Sequence, residues 1–150
     1  MSEATQLERF AVSAEGISET KTVVETRDFE FVIDEPEALG GTNDGPNPVE
    51  YLLGAWAGCL TVVVHTVATE RRIDVDGVEI GIQGDIDLRK FFGTADDVRA
   101  GYQEISVRIA IESDADQAAL DALALEVEER CPVGDTIGNP TPTDVTVDAA

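Results

Sequence analysis

One stretch limits what this chain can fold into: Gly45–Arg72, GPNPVEYLLGAWAGCLTVVVHTVATERR. It holds the longest apolar run, the single Trp, the single His and one of the two cysteines. Its front carries a helix start. Asn47 caps, Pro48 fits the first helical position, and Glu50, three residues after the cap, reaches back to the cap amide. Nothing breaks the helix before Arg72. Leu52, Trp56, Cys59 and Val63 form one stripe, and Leu53, Leu60, Val64 and Val67 another. A helix apolar on nearly every side is a buried helix. Gly54 and Gly58 share a face and let another backbone approach closely there. Cys59 therefore falls in the middle of a crowded central helix.

The segments around this helix set the fold class. Met1–Thr5 reads as frayed. Phe10 and Val12 place a first strand within Leu7–Glu15, Gly16 marks a turn, and Thr20–Ile33 is the return strand of an antiparallel hairpin. Asp34–Asn47, with two Pro and three Gly, is a loop feeding the helix. Val78–Leu88 alternates, with Val78, Ile80, Ile82, Ile86 and Leu88 inward. Gly84 takes an inward slot, which signals a bulge or a close backbone approach. Ile105, Val107, Ile109 and Ile111 define the next strand. Ser113 or Asp114 caps a second helix, which runs through Arg130 and stops at Cys131 because Pro132 restricts that residue. Val133–Ile137 forms a further turn, and Asp144–Val147 a last short strand. This order gives an α+β fold with a mostly antiparallel sheet, in a single domain over residues 1–150.

Charge narrows the partners. The chain has 31 Asp+Glu against 10 Lys+Arg, a net charge of −21. Such a surface repels nucleic acid and anionic membranes. The acids are spread through the strand and helix patterns, as for a surface adapted to a high-salt cytoplasm, where a screening length of ~3 Å at about 1 M salt suppresses self-repulsion. Leu52–Val67 is interrupted by Gly54, Gly58, Thr61, His65 and Thr66 and falls short of the ~20 apolar residues of a membrane span. MSEATQLERF has no basic segment followed by an apolar one, so no signal peptide and a cytoplasmic location are expected.

The two cysteines are the candidates for chemistry. In a reducing compartment they are reactive, metal-binding or simply buried rather than a permanent disulfide. Two Cys and one His do not fill a zinc site, so no metal is expected. Cys59, apolar-flanked, reads equally as a core residue. Cys131, at a helix C-terminus, is the poorer nucleophile unless the following turn supplies amides. His65 lies six residues after Cys59, nearly opposite it around the helix, and reads as a structural or interface residue rather than its base. No phosphate-cradling or dinucleotide motif is present.

Two stretches together resemble a known family. GPNPVEYLLGAWAGC, ending at Cys59, resembles the first cysteine motif of the OsmC/Ohr family of thiol peroxidases, and RCPVG, around Cys131, resembles the second. DEPEALGG, Asp34–Gly41, resembles the approach loop of an OsmC-like branch. The resemblance implies an intertwined α+β homodimer with sites at its interface and no metal, haem or flavin. It implies that Cys59 attacks an organic hydroperoxide, that the sulfenic acid condenses with Cys131, and that a dithiol reductant reopens the disulfide. The hydroperoxide-resistance branch keeps a Glu directly after the motif proline, where it orients an activating Arg. Here that slot is Val49, and the acid follows at Glu50. Of Arg9 and Arg27 in the N-terminal hairpin, Arg27 is the preferred activator. The second reading is a thiol or small-ligand-binding protein of the same fold that is not a peroxidase.

Overall fold

The structure is a computed structural model that describes residues 6–149. The expectation for Met1–Thr5 lies outside the described residues. The chain divides into two compact units, one up to Leu52 and one from Leu53 onward.

The first unit is an antiparallel meander of β1 (Ser13–Gly16), β2 (Thr22–Thr26) and β3 (Phe29–Ile33). The expected return strand is thus two strands. They are joined at Arg27-Asp28, where Arg27 takes φ 53°, a conformation uncommon outside Gly and Asn. No Gly or Asn marked that turn in the sequence. The first strand also starts later than Phe10 and Val12 indicate, and both stay exposed. Its partner explains this: β2 ends at Thr26, whose hydroxyl donates to the Ala11 carbonyl, and the chain then turns away.

After β3, the 34–47 loop is organised by Asp34, which is fully buried. Its carboxylate accepts the hydroxyls of Thr20 and Thr42 and the amides of Glu35, Thr42 and Asp44. Burial pushes its pKa up, but the Thr42, Asp44 and Thr20 hydrogen bonds outweigh burial and hold it well below the usual carboxylate range. Lys21 pairs with Asp44 beside it.

Helix α1 (Pro48–Arg71) starts as expected. The Glu50 amide donates to Asn47 Oδ1 and the Asn47 amide to Glu50 Oε2, both at 2.9 Å, completing a capping box. Arg72, at φ 57°, ends it: its amide bonds to Thr69 and that of Ile73 to Ala68, the Schellman closure. The buried residues of α1 lie on one face, Leu60, Val64, Val67 and Ala68, while Leu52 and Val62 are exposed in the single chain. By length and mean hydropathy, 1.6 over its most apolar 18 residues, α1 reaches the measure of a membrane span despite its interruptions. A core helix reaches the same measure.

In the second unit, β4 (Gly77–Ile86) and β5 (Tyr102–Glu112) form an antiparallel hairpin. Gly84 adjoins the bulge its inward slot implied, and the closest approach to it is that of a side chain rather than a backbone. A Cβ there would lie 2.6 Å from the Tyr102 ring, and the register shifts at Asp85/Ile86. Helix α2 (Gln117–Arg130) is capped by Asp116, which accepts the Ala119 amide at 2.8 Å. Ser113, an expected cap, instead donates its hydroxyl to Asp74 O. Leu123 and Val127 of α2 join the buried face of α1, and Ile80, Ile82, Ile109 and Ile111 of the hairpin pack onto them. Pro132–Gly138 is a short helix, α3, longer than the single turn expected. Residues 140–149 carry no regular structure, and Val145 and Val147 are exposed. Among the described residues, no strand pairs with the expected last one.

Candidate active site

Two elements bring the cysteines together. Cys59 sits one residue before the buried Leu60 of α1, and Cys131 joins α2 to α3. The core that locks α1 against α2 fixes both. Cys59 Sγ and Cys131 Sγ are 3.3 Å apart, and both thiols are free. Cys131 is fully buried and Cys59 partly exposed, so the outer sulfur is Cys59.

Pro132 at the first position of α3 leaves the next two amides free to point back at the sulfurs. The Gly134 amide donates to Cys131 Sγ at 3.4 Å, and the Val133 amide lies on the side of Cys59 where it favours the thiolate. Cys131 thus stands at the end of one helix and the start of the next, and the following turn supplies its sulfur with one amide, that of Gly134. Burial pushes the Cys59 thiol pKa up, the Val133 amide pulls it down, and the neighbouring Cys131 adds to the rise, leaving it above the ordinary value. Within the second unit, no lysine or arginine among the described residues bonds to either sulfur.

A cavity of about 530 Å³ opens beside Cys131. Leu60, Ile105, Val107 and Ile109 line it with apolar surface, and Trp56 and Glu128 also stand on its wall. Trp56 packs so tightly on α3 that a Cβ on Gly134 would lie 2.9 Å from its Nε1. That nitrogen is buried and has no hydrogen-bond partner among the described residues. Trp56 and Glu128 were not singled out as site residues by the sequence. Helical spacing carries a signal for both: Trp56 precedes Cys59 by three residues, and Glu128 precedes Cys131 by three.

The other proposed site residues have local partners. Glu50 is held in the capping box. Arg27 sits in the β2–β3 turn, its guanidinium 4.9 Å from the centroid of the Phe29 ring, a cation–π contact. Arg9 lies in the exposed segment before β1. His65 is exposed on α1 beside Val62 and Thr66. No group of three or more His, Cys, Asp or Glu among the described residues is arranged to hold a metal.

Comparison with known proteins follows the same lines. An OsmC-like protein from Mycoplasma pneumoniae matches with a TM-score of 0.76 at 19% identity, over 87% of this chain and 88% of that one. A Legionella pneumophila protein described as an organic hydroperoxide resistance protein OsmC matches with a TM-score of 0.64 at 21% identity, over 89% and 91%. The organic hydroperoxide resistance protein OhrB of Bacillus subtilis matches with a TM-score of 0.58 at 23% identity, over 87% and 90%. No curated protein matches the sequence. These structures share the α+β fold with its antiparallel sheets and central helix. The family model for OsmC-like protein matches residues 41–146, which include both cysteines and the whole cavity wall, and the chain belongs to the OsmC-like protein family.

Proposed function

We propose that the chain is a thiol-dependent peroxidase that reduces organic hydroperoxides to alcohols in defence against oxidative stress. The observation that carries this reading is the 3.3 Å separation of two free thiols, one partly exposed and one buried behind it. The Cys59 thiolate attacks the distal peroxide oxygen. The S–O bond forms as the O–O bond breaks, and the alkoxide leaves and takes a proton to become the alcohol. Cys131 Sγ then attacks the Cys59 sulfenic acid, and an S–S bond replaces the S–O bond with loss of water. An S–S bond of about 2.05 Å needs an approach of only about 1 Å. A dithiol reductant returns two electrons and two protons by exchange through a mixed disulfide. The Val133 amide favours the thiolate at the first step.

Family membership supports the reading, and the Legionella pneumophila and Bacillus subtilis proteins of the same fold carry hydroperoxide resistance in their names. We propose a homodimer as the working form, with Leu52 and Val62 of α1 covered by the second copy, and a cytoplasmic location. Arg27 and Glu50 are the proposed activating pair. A second reading, a thiol or small-ligand-binding protein that is not a peroxidase, is favoured by the raised Cys59 pKa.

The test is consumption of cumene hydroperoxide by purified protein with a dithiol in molar KCl. Turnover that Cys59→Ser abolishes supports the peroxidase. No consumption with either lipoyl-type or thioredoxin-type dithiols sinks it and leaves the second reading.

A further inference from the structure

The disulfide of the proposed cycle has two unequal ends. Cys131 is 1% exposed, while Cys59 keeps part of its surface open. The thiols already stand 3.3 Å apart, so closing the bond moves neither end far. The buried sulfur therefore stays buried in the oxidised protein, and the open one stays open. In thiol–disulfide exchange a thiolate must reach the sulfur that it attacks, and access is among the factors that set the rate.

The two ends also differ in what a departing sulfur finds. A buried thiolate is costly unless it accepts a hydrogen bond. Cys131 Sγ accepts one, from the Gly134 amide at 3.4 Å. Its departure as a thiolate therefore leaves a charge that already has a partner inside the protein. An activating Arg27 would make Cys59 the better leaving group and so pulls the other way, but it opens no path to Cys131. The cavity borders Cys131, yet the 1% exposure of that residue leaves almost none of it open on that side either.

We propose that the reductant attacks the disulfide at Cys59 and that Cys131 is the leaving sulfur. The reductant thiolate bonds to Cys59 Sγ as the Cys59–Cys131 bond breaks, and Cys131 departs as a thiolate that then takes a proton. The second thiol of the reductant attacks the reductant sulfur of the mixed disulfide. The internal disulfide of the reductant forms, and Cys59 is released. Hydroperoxide and reductant thus approach the same sulfur in turn, and Cys131 meets neither. The assignment rests on the disulfide of the function proposed above, but not on the peroxide that forms it.

The experiment makes the disulfide without peroxide. Reduced protein in molar KCl is treated with diamide, which takes up the two electrons and two protons. Mixed disulfides are then formed with 2-mercaptoethanol, and separately with a thioredoxin-type reductant that keeps only its attacking cysteine. They are quenched in acid at the earliest times and mapped by peptide mass spectrometry. Both adducts are expected on Cys59, about tenfold or more over Cys131, with Cys131 recovered as a free thiol. Equal labelling, or adducts mainly on Cys131, overturns the assignment.

Consumption of cumene hydroperoxide is measured on the same preparation. Adducts on Cys59 without consumption overturn the peroxidase and leave the assignment. Consumption with adducts on Cys131 overturns the assignment and leaves the peroxidase. Diamide-treated protein that keeps both thiols overturns the assignment, because no disulfide then forms to be attacked.

Discussion

Cys59 Sγ lies 3.3 Å from Cys131 Sγ although 72 residues of chain separate them. Neither sulfur is placed by its own neighbours. α1 carries one, the α2–α3 junction the other, and the packing of Leu60, Val64, Leu123 and Val127 sets the gap between them. A pair held this close while still reduced needs no refolding to oxidise.

One equivalent of an organic hydroperoxide is therefore expected to remove both titratable thiols from the parent protein. Cys131→Ser should stop at a Cys59 sulfenic acid that a dimedone-type reagent captures. Cys59→Ser should keep its Cys131 thiol. Mass spectrometry of the trapped products reads all three. Labelling at position 131 rather than 59 would reverse the proposed roles.

The Cys59 pKa sets the pH profile. It is raised, so the thiolate is the minor form at neutral pH, and its fraction grows as pH rises toward that pKa. In Arg27→Ala, where the proposed activator is gone and burial alone governs the thiol, the second-order rate of peroxide reduction should climb about tenfold per pH unit from pH 6 to beyond about 8.5, the ordinary cysteine value. A rate already flat at pH 7 in that variant would mean that a cation other than Arg27 acts on the thiol.

Glu50 offers a clean separation of two roles. As a capping-box residue it is replaceable by Gln, which makes the same bond to the Asn47 amide. As the carboxylate that orients an activating Arg, it is not. Under the proposed function, Glu50→Gln keeps its melting temperature within about 2 °C but loses turnover. Asn47→Ala should cost about 0.5–2 kcal/mol of stability by denaturant titration. Full activity in Glu50→Gln would leave Glu50 with the cap alone.

Leu123 tests the core that holds the sulfurs. It is fully buried between α2 and the apolar face of α1. Leu123→Ala should cost about 2–5 kcal/mol, lowering the melting temperature by roughly 5–15 °C. The looser helix pair should also slow disulfide formation. A loss under about 1 kcal/mol would show that the site collapses around the cavity.

Net charge predicts the response to salt. With 31 Asp+Glu against 10 Lys+Arg, self-repulsion acts on the folded chain until salt screens it. The melting temperature should rise steadily from low to molar KCl. A flat response would remove the high-salt reading of the composition.

Much of the site's frame was legible in the chain. Pro48, Asn47 and Glu50 fix where α1 begins because helix capping is a local transaction among four residues. Ile80, Ile82, Ile109 and Ile111 alternate because a half-buried strand has period two. Errors gathered where a partner decides the outcome. The strand expected at Phe10 and Val12 starts later because β2 turns at Arg27 and leaves nothing to pair with. The cap of α2 moved to Asp116 because Ser113 is drawn to the Asp74 carbonyl. The strand expected at Asp144–Val147 has no partner among the described residues.

The site divides the same way. Local patterns place Cys59 on a well-capped apolar helix and Cys131 before a proline that stops the next one. The sequence also carried the two motifs of the family. Packing alone makes the two sulfurs meet, sets the Gly134 amide on Cys131 and the Val133 amide beside Cys59, and gathers Trp56 and Glu128 around a cavity with Cys131. Caps, periodicity and proline restrictions act over a few residues, so composition and spacing encode them. A sulfur–sulfur distance across 72 residues is set by how α1 and α2 pack, and no local pattern holds that information.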